Sequence, residues 1–265
     1  MLAKERLLYI LKRLQIQPSI SVIDLAKELS VSKSTVQRDL RILENKKRIT
    51  RERGGAVAKK FEKTMSDLTD APVLSKINEN IETKKAICSV AAGAVHDGDL
   101  IFIDSGTTPS YLIQYLQNKK IKIVTYNLLI LSKTAGTNSD VYMLGGEYNP
   151  KYEVCYGPIT VEQIKQFRFD HAFIGANGVD TKLQEVYTSE FEMGALKKAA
   201  MERSVCSYLL VDSSKFDLTG LCTFGYFKQF DAIYVDRFPK GIKKSRNIVE
   251  VNKEIKTTDQ TADFN

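Results

Sequence analysis

The sequence predicts a two-part α/β protein: a small, basic, mostly helical unit at the N-terminus, then a larger three-layer α/β unit with a mainly parallel sheet. Charge is the first observation. Residues 1–60 hold 15 Lys/Arg and 6 Asp/Glu, a net of +9 against +7 for the whole 265-residue chain, so the remainder sums to −2. Periodicity is the second: apolar residues repeat at helical spacing up to about residue 45, whereas from Lys84 onward helical patterns alternate with short β-rich runs. Strands that alternate with helices argue a parallel sheet covered on both faces. The third is composition, since 43% hydrophobic residues over this length can bury a substantial core and suit two domains.

The elements follow in order. An amphipathic helix carries Leu7, Leu8, Ile10, Leu11 and Leu14. Val22, Leu25, Ala26 and Leu29 then sit at i, i+3, i+4 and i+7, one buried helical face. A Ser30-Val31 turn follows, with Val31 packing back and Ser32 placed to N-cap a second helix whose core residues are Val36, Leu40 and Leu43. That phase turns Ser34, Gln37, Arg38 and Arg41 outward, a short, hydrogen-bonding and partly cationic face suited to base edges and phosphates in a major groove. The basic stretch ending Arg51-Glu52-Arg53-Gly54-Gly55 reads as a wing. Helix, turn, cap and wing in register, on the one segment that holds the basic excess, point to double-stranded DNA as partner, through Ser32, Lys33, Ser34, Thr35, Gln37, Arg38, Arg41, Arg51 and Arg53. A small helical domain of purely structural purpose is the alternative.

Residues 59–80 read as a linker in which Pro72 opens a helix at Val73. In the α/β unit, 81–240, strands are expected at Leu100–Asp104, Lys122–Thr125, Val141–Leu144, His171–Ile174, Tyr208–Asp212 and Ile233–Asp236. Helices are expected at Lys84–Val95, Pro109–Gln117, Leu128–Ala135 and Glu190–Ser204, the last opened by a Ser189/Glu192 capping box. The tail, 241–265, is Lys-, Asn- and Thr-rich, with one strand at Asn247–Val251 and a polar end expected to be disordered.

Chemistry concentrates at strand ends. A hydrophobic strand runs into Asp104-Ser105-Gly106-Thr107-Thr108, and Pro109 opens a helix; loop amides, hydroxyls and the helix N-terminus form a cradle suited to phosphate. An ordinary βα turn with polar caps is the alternative. Parallel strands would bring Tyr126 and Asn127, Gly145-Gly146, Gly175-Ala176-Asn177-Gly178 and Asp212-Ser213-Ser214-Lys215 to the same edge, where ligands of open α/β sheets bind. Lys215 is the expected cation for a phosphate or sugar oxygen, unless it pairs with Asp212.

No apolar run approaches the ~20 residues of a membrane span, and no signal-peptide pattern follows Met1, so a soluble cytoplasmic protein without a membrane partner is expected. Cys88, Cys155, Cys206 and Cys222 are widely spaced and only His96 and His171 supply imidazole, which argues for reduced thiols and against a metal site or cofactor.

The matching stretches Ser-Val-x-x-Leu-Ala-x-x-Leu-x-Val-Ser-x-x-Thr-Val-x-Arg-Asp-Leu (21–40), Arg-Gly-Gly-Ala-Val (53–57), Ile-Asp-Ser-Gly-Thr-Thr (103–108), Leu-Gly-Gly-Glu-Tyr (144–148), Phe-Asp-x-Ala-Phe-Ile-Gly-Ala-Asn-Gly-Val-Asp (169–180) and Asp-Ser-Ser-Lys-Phe (212–216) occur in one order. Along nearly its whole length the chain resembles the DeoR-type bacterial transcriptional regulators. The resemblance implies a winged helix-turn-helix over 1–58 and a sensor domain like the ribose-5-phosphate isomerase and CoA-transferase folds. It implies repression of a sugar-uptake or sugar-catabolic operon, relieved by a phosphorylated sugar. Carried over by motif, the effector residues are Asp104, Ser105, Gly106, Thr107, Thr108 and Lys215, with Asn127, Lys151 and Glu190. The family usually has Asn where Tyr126 stands, Arg where Asn149 stands and Thr-Thr-Pro-Asp where Tyr187-Thr188-Ser189-Glu190 stands. Two other classes remain open: a sugar-phosphate isomerase with a DNA-binding appendage, using Asp104 or Glu190 as base, and a constitutive DNA-binding scaffold. Paired helix-turn-helix units imply a homo-oligomer, dimer or tetramer.

Overall fold

The computed structural model describes residues 3–16, 19–45, 49–52, 54–58, 70–242 and 244–251. The chain divides into two compact units, Met1–Lys63 and Thr64–Asn265. The side chains of Leu8 and Leu11, all of Arg53, residues 59–69 of the expected linker and the polar end from 252 lie outside the described residues.

In the first unit α1 (Ala3–Ile16), α2 (Val22–Leu29) and α3 (Lys33–Asn45) pack around Ile10, Leu14, Leu25, Leu29, Val36, Leu40 and Leu43, all buried. Ser21 caps α2 by accepting the Asp24 N–H at 3.0 Å, and Ser30 ends it in the left-handed region at φ 52°. Ser32 Oγ then accepts the Thr35 N–H at 3.2 Å, the expected cap of α3, and Val31 packs partly against the core. The wing is a hairpin of β2 (Ile49–Glu52) and β3 (Gly55–Ala58). A strand absent from the sequence reading, β1 (Ser19–Ser21), pairs antiparallel with β3 and makes a three-stranded sheet. Gly55 permits this pairing, because a Cβ there would lie 2.3 Å from the Ile20 carbonyl oxygen.

The second unit is built on a seven-stranded parallel sheet: β4 (Leu100–Ile103), β5 (Lys122–Thr125), β6 (Asp140–Met143), β9 (Phe169–Gly175), β12 (Ser204–Leu210), β14 (Ala232–Val235) and β15 (Ile248–Glu250), in the order β15-β14-β12-β9-β4-β5-β6. Between β6 and β9 come a hairpin of β7 (Glu147–Asn149) and β8 (Val154–Tyr156), then α7 (Pro158–Lys165). A small antiparallel sheet comprises β10 (Gly178–Asp180), β11 (Glu185–Thr188) and β13 (Cys222–Tyr226). Two cores lie on opposite faces of the main sheet. Phe102, Val124, Phe169, Ala172 and Ile174 pack with α7 and with α8 (Phe191–Glu202), while Ile101, Ile103, Ile123 and Phe173 pack with α4 (Ile81–Ala91) and the short helices α5 (Thr107–Ser110) and α6 (Ile113–Leu116). This alternation of neighbours between faces is what period-2 strands under two helical layers produce.

Several elements differ from expectation. The helix expected at Pro109–Gln117 is two single turns, α5 and α6, and that expected at Leu128–Ala135 is a 3₁₀ segment, Leu128–Lys133. Asn127 caps the latter, accepting the Leu129 N–H at 3.0 Å. The Ser189/Glu192 capping box is absent: Glu190 stands at the N-cap of α8 without a side-chain cap bond, and the Ser189 hydroxyl is committed to Asp70. Pro72 opens only a 3₁₀ turn, Val73–Lys76, and residues 70–80 belong to the α/β unit, where the Val73 N–H donates to the Lys151 carbonyl at 2.9 Å. Edge strand β15 extends the same body past residue 240.

Candidate functional site: a DNA-reading helix and a ligand cleft

In the first unit the buried stripe of α3 fixes its outer face. Ser32, Lys33, Ser34, Gln37, Arg38 and Arg41 are exposed and Thr35 is half-buried. Asp39, between Arg38 and Leu40, turns inward: 1% exposed, it accepts from Arg6 Nε at 2.8 Å and Arg6 Nη2 at 3.2 Å and so ties α3 to α1. That charged pair was not anticipated, although a carboxylate between two core positions is its signal. Arg51, on the wing, lies 3.7 Å from Glu44, a half-exposed pair of small energetic weight.

The cleft of the second unit follows from topology. β4 and β9 are neighbours, yet the chain leaves β4 toward β5 and β6 and leaves β9 toward β12, β14 and β15. This reversal opens a crevice beyond their carboxyl ends, where the connecting loops part to opposite faces. The loop after β4 brings Ser105, Gly106, Thr107 and Thr108 to it, the loop after β9 brings Asn177, and the segment after β12 brings Asp212 and Lys215. The space between these loops, counted together with its open mouth, is about 720 Å³. Gly106 stands at φ 98°, a conformation other residues rarely adopt, and this turns the loop into α5. Because α5 is a single turn, little helix dipole reaches the cleft; its attraction for an anion rests on amides, hydroxyls and lysines.

Asp104 lies beneath that loop, fully buried. Its Oδ1 accepts from the Tyr126 hydroxyl, and its Oδ2 accepts from the Lys197 ammonium and from the Gly175 N–H at 2.8 Å. The Tyr126 oxygen in turn lies 3.1 Å from Ser105 Oγ, whose hydroxyl can donate to it; burial first, then the Asp104 carboxylate, holds the Tyr126 hydroxyl well above the ordinary tyrosine pKa. Asn127, fully buried, donates from Nδ2 to the carbonyls of Asp104 at 3.1 Å and Gly106 at 3.2 Å. Asp104 and Asn127 therefore shape the loop from behind instead of lining the cleft. Lys151 and Glu190 do not line it either. The Lys151 ammonium sits 5.2 Å from the centre of the Tyr152 ring, and it is Tyr152 that faces the cleft.

Lys215 lines the cleft, and among the described residues it has no ion-pair partner; the expected alternative pair with Asp212 does not form. Asp212 Oδ1 instead accepts from the Ser214 N–H at 3.0 Å and from the Ser214 hydroxyl, while its Oδ2 is buried without a hydrogen-bond partner among the described residues. Two further lysines were missed. Lys197, on α8, is 3% exposed and lines the cleft; Lys84, on α4, is also 3% exposed and donates to the Lys76 carbonyl at 2.8 Å. Burial lowers the pKa of Lys84 from the ordinary lysine value, with Asp212 opposing and Lys215 adding to the shift. Both carried a signal. Lys84, Ile87, Cys88, Ala91 and Met193, Leu196, Lys197, Ala200 each repeat at i, i+3, i+4 and i+7, placing a lysine on a helix's apolar stripe.

A winged helix-turn-helix joined to a three-layer α/β body with a cationic, amide-lined cleft defines a DNA-binding regulator with a sensor domain. Residues 6–61 match the DeoR-like helix-turn-helix domain and residues 79–237 the DeoR C-terminal sensor domain; the chain belongs to the DeoR family. It is 34% identical to an uncharacterized HTH-type transcriptional regulator of Staphylococcus epidermidis over 80% of this chain and 84% of that one. It is 33% identical to the lactose phosphotransferase system repressor of Streptococcus mutans, over 88% and 92%, and 28% identical to the L-fucose operon activator of Haemophilus influenzae, over 86% and 90%. Among solved structures, ribose 5-phosphate isomerase A of Methanocaldococcus jannaschii is similar over 52% of this chain and 55% of that one, at 17% identity and a TM-score of 0.39. Among the described residues no helix is long and apolar enough to cross a membrane.

Proposed function

We propose that the protein is a cytoplasmic repressor of a sugar-uptake or sugar-catabolic operon, released from its operator when a phosphorylated sugar enters the cleft of the α/β unit. One observation carries the reading: Ser105–Thr108 and Lys215 converge on a crevice at the sheet's switch point. Phosphate oxygens suit loop amides, hydroxyls and an ammonium without a carboxylate partner. Relatives named as a lactose phosphotransferase system repressor and an L-fucose operon activator support a sugar-linked regulatory target. Ser32, Lys33, Ser34, Thr35, Gln37, Arg38, Arg41, Arg51 and Arg53 are the proposed DNA contacts, on a homo-oligomer that reads paired half-sites.

A sensing role is favoured over isomerase catalysis because Asp104 has both oxygens engaged by Tyr126, Gly175 and Lys197, and Glu190 lies outside the cleft lining. Neither carboxylate is free to take a proton from a bound sugar. The test is an operator-shift assay with and without a panel of sugar phosphates. An effector acts only through different affinities for the DNA-competent and DNA-released states. Lys215→Ala should therefore hold its operator as the parent does and fail to release it. Release of Lys215→Ala at unchanged effector concentration would move the site elsewhere, and turnover of the effector at about 1 per second or faster would establish the isomerase.

A further inference from the structure

The cleft already holds a carboxylate. Asp70, 8% exposed, lies at its wall beside Val73 and Lys76. One Asp70 oxygen accepts from the Lys76 ammonium; the other accepts from Asn177 Nδ2 at 2.9 Å and from the Ser189 hydroxyl at 3.1 Å. The three donors come from three separate stretches: the turn Val73–Lys76, the loop after β9, and the residue before the N-cap of α8. An ammonium, a carboxamide and a hydroxyl converging on one carboxylate form an anion site, and all three also line the cleft. The same donors suit the oxygens of a phosphate group.

Position gives this site a second meaning. Asp70 is the first described residue of the second unit, and the chain running back from it reaches the end of the first unit at Lys63. Beyond Asp70 the segment is tied down independently: Val73 is buried, its N–H donates to the Lys151 carbonyl, and the Ile77 carbonyl accepts from the Tyr111 hydroxyl at 3.1 Å. Among the described residues, the Asp70 carboxylate is thus the outermost side-chain tie of the segment that leads to the DNA-binding unit.

We propose that Asp70 is an internal stand-in for the effector: Lys76, Asn177 and Ser189 form a phosphate subsite that the chain's own carboxylate fills, and a phosphate group displaces it and frees the segment around residues 70–72. This rests on reading the cleft as an anion-binding effector site and adds how occupancy is sensed. Two anions cannot share the three donors, so occupation by one excludes the other. Population arithmetic then sets the size of the effect. If the subsite is open in about a tenth of molecules, removing the competitor raises apparent phosphate affinity about tenfold.

The probe is inorganic phosphate, measured on the full chain by calorimetry and by hydrogen exchange. Asp70→Asn should bind phosphate about tenfold more tightly than the parent. In the parent, saturating phosphate should raise exchange in peptides spanning 70–77, where the Ser75 N–H loses its 3.1 Å bond to the Pro72 carbonyl, while the rest of the cleft becomes more protected. Phosphate that binds the parent and leaves exchange at 70–77 unchanged would overturn displacement, as would an Asp70→Asn protein that binds no more tightly. The exchange measurement needs no variant, so a folding defect in Asp70→Asn does not protect the proposal. Failure of both proteins to bind phosphate would remove the anion-site reading itself, an outcome distinct from binding without displacement.

Discussion

Replacing Lys197 with Met tests whether the cleft is held open by a buried ion pair. Lys197 is 3% exposed and Asp104 fully buried, and the ammonium also donates to the Gly175 carbonyl at 3.2 Å. Methionine fills nearly the same volume, so no large cavity forms; the damage is electrostatic. Removing one partner of a buried pair leaves an uncompensated charge and costs about 3–5 kcal/mol. Here the carboxylate keeps its bonds from Tyr126 and the Gly175 N–H, which places the expectation near the lower end, about 3 kcal/mol. Denaturant unfolding followed by a probe in the α/β unit reads this directly. Asp104→Asn combined with Lys197→Met removes both charges and should recover a substantial part of the loss, so the two changes will not add. At temperatures where Lys197→Met remains folded, more effector should be needed for release, because Asp104 and Asn127 together set the backbone of the Ser105–Thr108 loop. A cost below about 1 kcal/mol, or strict additivity in the double variant, would refute the claim that this pair is electrostatically coupled in the interior.

Two further outcomes are expected. In the DNA-binding unit, Arg38→Ala should cost about 1–3 kcal/mol of operator affinity and relax sequence preference without altering the melting temperature, while Leu40→Ala, on the buried side of the same helix, should destabilise the unit by about 2–4 kcal/mol; interchange of these phenotypes in binding and thermal-unfolding assays would invert the helix phase. In the α/β unit, burial pushes the Cys88 thiol above the ordinary cysteine pKa and its Sγ donates to the Thr108 carbonyl at 3.1 Å, so it stays protonated as pH rises through the range where free thiols ionise. Alkylation at pH 8–9 should therefore spare Cys88 until the protein unfolds but reach the partly exposed Cys155, Cys206 and Cys222, and rapid native labelling of Cys88 by mass spectrometry would contradict its placement.

Local information reached far in the first unit. Val22, Leu25 and Leu29, and then Val36, Leu40 and Leu43, are buried where helical spacing puts them, and the Ser32 cap forms from the hydroxyl that precedes the helix. Both phase and cap depend on residues within a turn or two, so sequence carries them. The parallel sheet was legible for the same reason: each strand holds a short apolar stretch between helical patterns, and each expected strand is found. The hairpin β7–β8 and the small sheet of β10, β11 and β13 were missed because polar residues and glycine interrupt most of their strands and their pairing depends on distant partners, as where Tyr187 pairs with Thr223.

The site divides along the same line. By itself the sequence determined the winged helix-turn-helix, its outward residues, the alternating α/β order and the polar loop after β4, since each is a matter of neighbours along the chain. Tertiary structure alone decided which polar groups meet. Topology placed β4 beside β9 and opened the crevice at their ends. It drew Lys197 from α8 beneath the loop onto Asp104, and it folded Asp70 from the expected linker onto Asn177 and Ser189. It also turned Asp104 and Asn127 from expected ligand contacts into the loop's support. Charges buried together are chosen by three-dimensional neighbours, because a carboxylate out of water must find its cation wherever the fold brings one, and sequence separation leaves that pairing unspecified.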